Sequence, residues 1–267
     1  MASTATAATA TEQPLLRRDT DGITTLTLNR PEQFNALSGA LLNDLQAALD
    51  GIARNQSVRV VVIAGAGPAY CAGHDLKEMR ANRHPDFIED LFKRCSRVMM
   101  TLTEIPQPVI ARVQGIATAA GCQLVAACDL AVASTEARFA TSGINVGLFC
   151  STPGVALSRN MPRKQAMEML LTGDFIDAQT ALKQGLVNRV VPPAELDAEV
   201  ARLAAAIKGK SRAAISLGKQ MFYKQLEMSR EQAYRYASQV MASNMMDDDA
   251  AEGIDAFMQK RAPKWKS

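Results

Sequence analysis

The sequence predicts an α/β fold that ends in a helical region, and three observations lead to that prediction. Short apolar runs of strand length alternate with amphipathic helical segments over roughly the first two thirds of the chain. Two of the runs are followed at once by a turn of small residues and the start of a helix. Beyond about residue 195 the strand signals stop and only helical periodicity continues.

The predicted strands are four short runs bounded by glycine, proline or charged residues. Ile23–Leu28 alternates threonine with aliphatic residues, as an outer strand does. The other three runs are more uniformly apolar and are expected to be buried: Val58–Gly65, Pro108–Val113 and Asp129–Ser134. Strands that alternate with helices favour a sheet built through crossover connections.

Helices are predicted between and after these strands. Ser38 is a candidate N-cap, and the leucines at 41, 42, 45 and 49 follow it at helical spacing. Phe87–Leu102 is a second amphipathic segment. Four further helices are expected after Pro192-Pro193, namely Leu196–Ile207, Ala213–Leu226, Arg230–Met246 and Ala250–Arg261. We therefore expect a core over residues 14–195 and a helical region over residues 196–267.

Composition argues against several classes of function. The 30 basic and 27 acidic residues leave a net charge of +3 without a basic cluster, so nucleic-acid binding is not expected. No apolar run approaches the roughly 18 residues of a membrane span. Two histidines and five cysteines without a CxxC pair predict no metal site and reduced thiols.

The first 13 residues, MASTATAATATEQ, form a low-complexity Ala/Thr segment that is expected to be disordered. The segment contains none of the arginines typical of a mitochondrial presequence. A cytoplasmic location is therefore expected, with the mitochondrial matrix as the alternative for a eukaryotic protein.

The two small-residue turns predict a site for a carbonyl oxygen. Residues 71–75 (CAGHD) follow the strand at 58–65, and residues 114–129 (QGIATAAGCQLVAACD) follow the strand at 108–113. The first amides of a helix have no partner within it and point at whatever lies beyond the helix end. Two such helix starts facing one pocket would form an oxyanion hole.

Five segments in order resemble the crotonase superfamily, that is, the enoyl-CoA hydratase/isomerase family. The resemblance covers about Leu15 to Trp265 and rests on LNRPEQFNALS (28–38), CAGHDLKEM (71–79), PVIARVQGIATAAGCQLVAACDLAVAS (108–134), AMEMLLTGDFIDAQTALKQGLVNRVVP (166–192) and AFMQKRAPKW (256–265). It implies a spiral of ββα repeats, a helical C-terminal trimerisation region, and an acyl-CoA ligand in a homotrimer or a hexamer made of two trimers. No permanently bound cofactor is implied.

The resemblance also assigns site residues. The family's two oxyanion amides fall on His74 and Ala120, and both are main-chain groups. The two glutamates that serve the family's hydratases as acid and base fall on Gln123 and Gly143. An amide cannot take a proton near neutral pH, and glycine offers no group at all, so efficient hydration by the usual mechanism is not expected.

Contacts to coenzyme A are implied at the two turns, at the start of the chain and near its end. The candidates are Arg30, Ala72, His74, Asp75, Lys77, Gly121, Phe257 and Lys260. A lysine suits phosphate recognition because its ammonium group is a compact charge.

Structural explanations compete with these roles. Asp75 is expected to cap the helix DLKEM rather than to act as an acid, and Cys122 and Cys150 are expected to fill the core rather than to react. His74 either contributes its side chain or only its amide, and Gln123 either orients a water or only packs. Residues 247–249 (DDD) are read as a solvated acidic run.

Three functions remain open at this point. One is an enolate-forming enzyme with another outcome, such as decarboxylation or thioester hydrolysis. The second is a hydratase of low activity that uses a water held by Gln123. The third is a non-catalytic acyl-CoA-binding or regulatory protein.

Overall fold

Two β-sheets surrounded by helices make up residues 13–267, the part of the chain that our computed structural model describes. The strands are β1 (Leu15–Thr20), β2 (Ile23–Leu28), β3 (Val60–Gly65), β4 (Ala69–Cys71), β5 (Val109–Val113), β6 (Ile116–Thr118), β7 (Leu130–Ser134), β8 (Arg138–Ala140), β9 (Ile176–Asp177) and β10 (Arg189–Val191). The helices are α1 (Gly39–Ala53), α2 (Leu76–Ala81), α3 (Pro85–Glu104), α4 (Ala120–Ala127), α5 (Ser151–Asn160), α6 (Arg163–Thr172), α7 (Ala178–Lys183), α8 (Leu196–Lys208), α9 (Arg212–Gln225), α10 (Arg230–Met245) and α11 (Asp248–Met258).

The larger sheet has the strand order β1-β2-β3-β5-β7-β10 and is parallel except for the β1–β2 hairpin. Every residue of β3 is buried, because helices cover a parallel sheet on both faces. The smaller sheet has the order β4-β6-β8-β9 and ends in an antiparallel β8–β9 pair.

A ββα unit repeats along the core. The strand β3 in the large sheet is followed by β4 in the small sheet and then by α2, and β5, β6 and α4 repeat that order. The strands β7 and β8 lead in the same way to α5, and a short 3₁₀ helix at Ser142–Val146 lies between β8 and α5. The repeated units place the ends of β4 and β6 side by side, which brings the loops after them together.

The first helix follows its sequence signals closely. The Ser38 hydroxyl accepts a hydrogen bond from the Leu41 amide at 3.3 Å and so caps α1. The leucines of its inner face are fully buried and pack with α3 and the large sheet. The predicted α/β class and the strand Ile23–Leu28 are confirmed.

Three predicted boundaries move for local reasons. The strand β3 begins at Val60 rather than at Val58, because the amides of Arg59 and Val60 both donate to the Gly22 carbonyl in the preceding turn. The last helix begins at Asp248, since the Asp247 side chain accepts from the Asp249 amide at 2.8 Å. It ends early as Lys260 adopts a positive φ of 54°.

The acidic run at 247–249 is not simply solvated, and that expectation was wrong for Asp249. This side chain is 2% exposed and accepts hydrogen bonds from the Lys266 amide at 2.6 Å and from the Ser267 hydroxyl. Its burial fastens the end of the chain to α11.

Helix α8 packs on the large sheet through apolar side chains, and α9 is joined to the core by a buried ion pair. The Lys219 ammonium in α9 donates to the Asp129 carboxylate at 2.7 Å and to the carbonyls of Leu102 and Gln107. The Tyr223 hydroxyl donates to the other Asp129 oxygen at 2.8 Å. Helix α10 has no buried residue, and its apolar side chains include the strongly exposed Met241.

The predicted disordered tail, residues 1–13, lies outside the described residues except for Gln13. Among the helices of residues 13–267, none combines the length and the apolar character that a bilayer crossing requires. Within the same range no cluster of three or more histidine, cysteine or acidic side chains is arranged to hold a metal ion.

Candidate functional site

The first turn, residues 71–75, leaves the His74 amide unpaired. Leu37 forms an isolated parallel bridge to His74, in which the Leu37 amide donates to Gly73 O at 2.7 Å and Leu37 O accepts from the Asp75 amide at 3.2 Å. In this pattern the N–H of His74 itself points away from Leu37. No hydrogen bond among the described residues uses it.

The second turn, residues 118–121, offers the amide of Ala120. The Ala119 amide is engaged by the Ala140 carbonyl at 3.0 Å, and α4 begins immediately afterwards. As the first residue of that helix, Ala120 has no acceptor one turn back for its N–H, and none is found elsewhere in the described residues. Ala119 adopts a φ of 50° with a ψ of −120°, a strained conformation for a residue with a side chain.

The two turns touch. A Cβ added to Gly73 would lie 2.9 Å from the Ala119 Cβ and 3.2 Å from the Ala120 amide nitrogen. On the other side, Gly121 lies directly against the backbone of Cys71. Only glycine permits such an approach, and Gly73 also has a φ of 91°. The structure thus brings the two predicted amides to adjoining places, while their joint binding of a carbonyl remains a prediction.

The side chain of His74 is packed rather than solvated. Its ring lies edge-on to Phe92 of α3, with 5.1 Å between the ring centroids. Neither ring nitrogen is accessible or has a hydrogen-bond partner among the described residues. Burial lowers the pKa of His74 to about 4, and the nearby Leu37 backbone opposes that shift only in part. The imidazole is therefore neutral at physiological pH.

Gln123 is the polar side chain one turn into α4. The side chain of a helical residue leans toward the preceding turn, so that of Gln123 leans toward the start of α4 and the second turn. The residue is 4% exposed, and its Oε1 has no hydrogen-bond partner among the described residues. This oxygen can accept a hydrogen bond from a water or a ligand donor, as can the unpaired amide oxygens of Gln107, Gln114 and Gln184 elsewhere in the described residues.

Two hydroxyl groups near the same turn were missed by the sequence analysis. The Thr118 and Ser142 hydroxyls lie 2.7 Å apart. Thr118 begins the second turn, two residues before Ala120, and Ser142 directly precedes Gly143. Their positions near those residues were the available signal, although neither residue type is distinctive there.

Gly143 is enclosed by its own loop. A Cβ at this position would lie 2.6 Å from Leu148 O and 2.7 Å from the Cys150 sulfur. The Leu148 amide also donates to Gly143 O at 2.9 Å. The loop at 143–150 therefore closes over the position where the resemblance would place a second glutamate, and a larger side chain would have to displace it.

The cysteines near the site are poor nucleophiles. Burial raises the pKa of the Cys122 thiol to about 12, and burial also raises the pKa of Cys150. A thiol in such surroundings holds its proton and is not a thiolate near neutral pH. Both side chains fill the core beside the site, in agreement with the structural explanation.

The candidate contacts for coenzyme A fall into two groups. Asp75 caps α2 through the amides of Lys77 and Glu78, and Arg30 donates to the Asp75 carboxylate at 2.8 Å. Lys77 is exposed and Ala72 is partly exposed beside the first turn. The second group lies at the end of α11 and just beyond it, where Phe257 is 84% exposed and Lys260 is also exposed. No hydrogen bond or ion pair of the described residues joins these two residues to the turns.

Comparison with known proteins gives consistent results over nearly the whole chain. The sequence profile described as enoyl-CoA hydratase/isomerase matches residues 18–267. The human enoyl-CoA hydratase domain-containing protein 3, mitochondrial, is 50% identical over 253 residues, which are 95% of this chain and 84% of that one.

Solved structures agree with the sequence relatives. An enoyl-CoA hydratase from Mycobacterium smegmatis matches with a TM-score of 0.94 and 58% identity, covering 96% of this chain and all of that one. The human enoyl-CoA hydratase domain-containing protein 3 matches with a TM-score of 0.92 and 50% identity, covering 94% of this chain and 100% of that one. Three segments resemble this branch of the family in particular, namely TAAGCQL (118–124), INVGLFCSTPGVALSR (144–159) and SLGKQMFYKQL (216–226). The chain therefore belongs to the enoyl-CoA hydratase/isomerase family.

Proposed function

We propose that the protein binds a coenzyme A thioester whose carbonyl oxygen accepts hydrogen bonds from the amides of His74 and Ala120. The observation that supports this most directly is the contact between two turns that each leave one amide unpaired. Such a pair withdraws electrons from the thioester carbonyl and stabilises an enolate at the α-carbon. Membership of the family also supports an enzyme of the lyase or isomerase type.

Hydration by the usual route is proposed to be slow. Gln123 stands where the resemblance requires a carboxylate, and the loop at 143–150 closes the second position. The neutral buried His74 has a pKa near 4 and lacks a hydrogen-bonded partner that would make it a base. General acid or base assistance is worth about 10²–10⁴-fold for each group, so losing both removes most of the rate.

Gln123 is proposed to hold a water or a substrate hydroxyl near the β-carbon. Its unpaired Oε1 accepts a hydrogen bond, and rotation of the amide offers a donor instead. This supports the second candidate function, a hydratase of low activity, in which water attacks without a strong base. A non-catalytic acyl-CoA-binding protein is the alternative if the ester binds and no product appears.

Decarboxylation of a thioester that carries a carboxylate on its α-carbon, such as methylmalonyl-CoA, needs no base and also fits the two amides. The carbon–carbon bond breaks, CO₂ leaves with no electrons from that bond, and the enolate takes a proton from water. Thioester hydrolysis through a cysteine is less favoured, because burial raises the thiol pKa of Cys122 to about 12.

The family resemblance implies a homotrimer or two trimers, and the exposed apolar side chains of the C-terminal helices support the proposal of an oligomer. Tyr234 is 72% exposed, Met241 77%, and Phe257 84%. Monomeric soluble proteins rarely leave so many large apolar side chains in water. In such an assembly Phe257 and Lys260 would approach the coenzyme A of a neighbouring subunit. We propose a mitochondrial location only as an alternative to the cytoplasm, since the human relative is named as mitochondrial.

The test is a binding and turnover series with the purified protein. Crotonyl-CoA, butyryl-CoA, 3-hydroxybutyryl-CoA and methylmalonyl-CoA are compared with coenzyme A itself by calorimetry, and products are followed by mass spectrometry. The proposal expects each ester to bind more tightly than coenzyme A. If no ester does so, the oxyanion hole does not exist as a binding site and the proposal fails.

A further inference from the structure

The resemblance suggests that Arg30 contacts coenzyme A, but in the structure its side chain is engaged by the protein itself. Its side chain is only 20% exposed, and the Asp75 side chain opposite it is 14% exposed. One guanidinium nitrogen donates to Ala36 O at 2.6 Å and the other donates to the Asp75 carboxylate at 2.8 Å. These contacts occupy the guanidinium within the protein itself.

The two acceptors of Arg30 lie on the two strands of the bridge that orients His74. Ala36 directly precedes Leu37 on one side, and Asp75 directly follows His74 on the other. A single planar guanidinium therefore clamps the two segments together, because it joins the Ala36 carbonyl to the Asp75 carboxylate diagonally across the parallel bridge. The clamp is itself fixed, because the Arg30 amide donates to the Asn35 side chain at 2.9 Å and the Asn35 amide donates to Arg30 O at the same distance.

Several other contacts also hold the segment. The helix α2 that follows Asp75 has six residues and no buried one, although Met79 packs partly against the core. The Ala72 amide donates to Phe34 O at 2.9 Å, and the His74 ring packs edge-on to Phe92. The contacts nearest to the His74 N–H in the chain are the Leu37 bridge and the Arg30–Asp75 pair, so its direction depends on both.

We propose that Arg30 is a positioning residue for the oxyanion hole, acting through Asp75 and Ala36 to fix the His74 amide rather than through contact with coenzyme A. The inference rests on the proposed function, since it concerns the same two amides. A hydrogen bond to a charged or polarised oxygen is lost when its donor turns away. Disturbing the clamp therefore lowers the affinity for the thioester group and leaves the affinity for coenzyme A unchanged.

The experiment uses a conjugated thioester, cinnamoyl-CoA, as a probe of carbonyl polarisation. Hydrogen bonds to the carbonyl oxygen shift the absorption of the bound probe to longer wavelength. The variants are Arg30→Met, Arg30→Lys and Asp75→Asn, the last of which keeps a good helix cap while removing the charge that pairs with Arg30. Arg112→Met is the matched control, because it breaks another arginine–aspartate pair, the one with Asp197, away from both turns.

The inference expects a red shift in the native protein and in Arg112→Met, and a smaller shift in Arg30→Met and Asp75→Asn at saturation. The preference for the ester over coenzyme A should fall about tenfold in these two variants, the equivalent of one such hydrogen bond. Arg30→Lys should lie between, since an ammonium cannot bridge both acceptors in one plane.

The outcomes separate the two proposals. Absence of any red shift in the native protein overturns the proposed function. A native shift that persists unchanged in Arg30→Met and Asp75→Asn overturns the positioning role alone, and so does a loss of coenzyme A affinity equal to the loss of ester affinity, which would make Arg30 a direct contact. If Arg30→Met fails to fold, Arg30→Lys and Asp75→Asn decide the question by the same criteria.

Discussion

Replacing Gly121 by alanine should disrupt the oxyanion hole by separating the two turns that form it. Gly121 is the second residue of α4, and an added Cβ would lie 2.7 Å from the carbonyl carbon of Cys71 and closer still to the carbonyl oxygen. Carbon atoms in contact are normally about 3.5–4.0 Å apart. The end of β4 must therefore retreat from α4 by about 1 Å, and both partners are backbone, so no side-chain rotation relieves the clash.

The expected cost of this substitution is about 1–3 kcal/mol or more of the free energy of unfolding, the range for an overpacked interior. The loss of affinity for crotonyl-CoA should be larger than the loss of folding stability explains, because the first and second turns move apart. Affinity for crotonyl-CoA should fall to that for coenzyme A itself. Calorimetric titration with both ligands at a temperature well below the melting transition measures the difference.

Two other glycines provide the controls. Gly115→Ala would place a Cβ 3.1 Å from the Pro68 carbonyl carbon and closer still to its oxygen, but at the opposite end of the β4–β6 pair. It should destabilise the protein similarly while retaining the preference for the ester. Gly51→Ala, with nothing within 4 Å, should stabilise α1 by about 0.5–1 kcal/mol. Equal ester binding by Gly121→Ala and the native protein would refute the reasoning.

Three further predictions concern protonation, the buried ion pair and the missing carboxylate. The pKa of His74 is about 4 in the folded protein and about 6.5 in the unfolded chain, so its contribution to stability is complete above pH 6.5 and falls by up to about 3 kcal/mol between pH 6.5 and 4. In chemical denaturation, the free energy of unfolding of His74→Gln should lack this part of the pH dependence. Lys219→Met should cost about 3–5 kcal/mol, since it leaves the Asp129 carboxylate buried without its cation, and a thermal melt that matches the native one would contradict this. Gly143→Glu should destabilise the protein by about 1–3 kcal/mol and bring no hydratase activity, because its side chain must displace the loop at Leu148. Rapid hydration of crotonyl-CoA by this variant would contradict the prediction and show that the loop opens freely.

The parts of the fold that the sequence predicted are those with long, regular patterns. The spacing of the leucines in α1 and the apolar run of β3 each predict burial from local sequence alone. The smaller sheet was missed because its strands have only two or three residues, too few to show a period. The edge strand β1 was missed since its pattern LLRRDT is almost wholly exposed and polar.

The sequence predicted the backbone turns of the candidate site better than it predicted the contacts of the side chains around them. The two small-residue turns predicted helix starts that would form an oxyanion hole if they faced one pocket, and the structure places the two turns in contact. The engagement of Arg30 by Asp75 links residues 45 apart in sequence and depends on tertiary packing alone. The closure of the loop over Gly143 likewise follows from a contact with Leu148 and Cys150 that no local pattern encodes.

The central claim is that the protein retains a carbonyl-binding site and lacks the base for efficient hydration. The most direct measurement mixes crotonyl-CoA with a slight molar excess of protein and follows bound ester and 3-hydroxybutyryl-CoA in the same sample over time. The account predicts that crotonyl-CoA binds more tightly than coenzyme A and that hydration is absent or slow, rising in Gln123→Glu. Complete hydration on the timescale of mixing would contradict it, because another group would then supply the base.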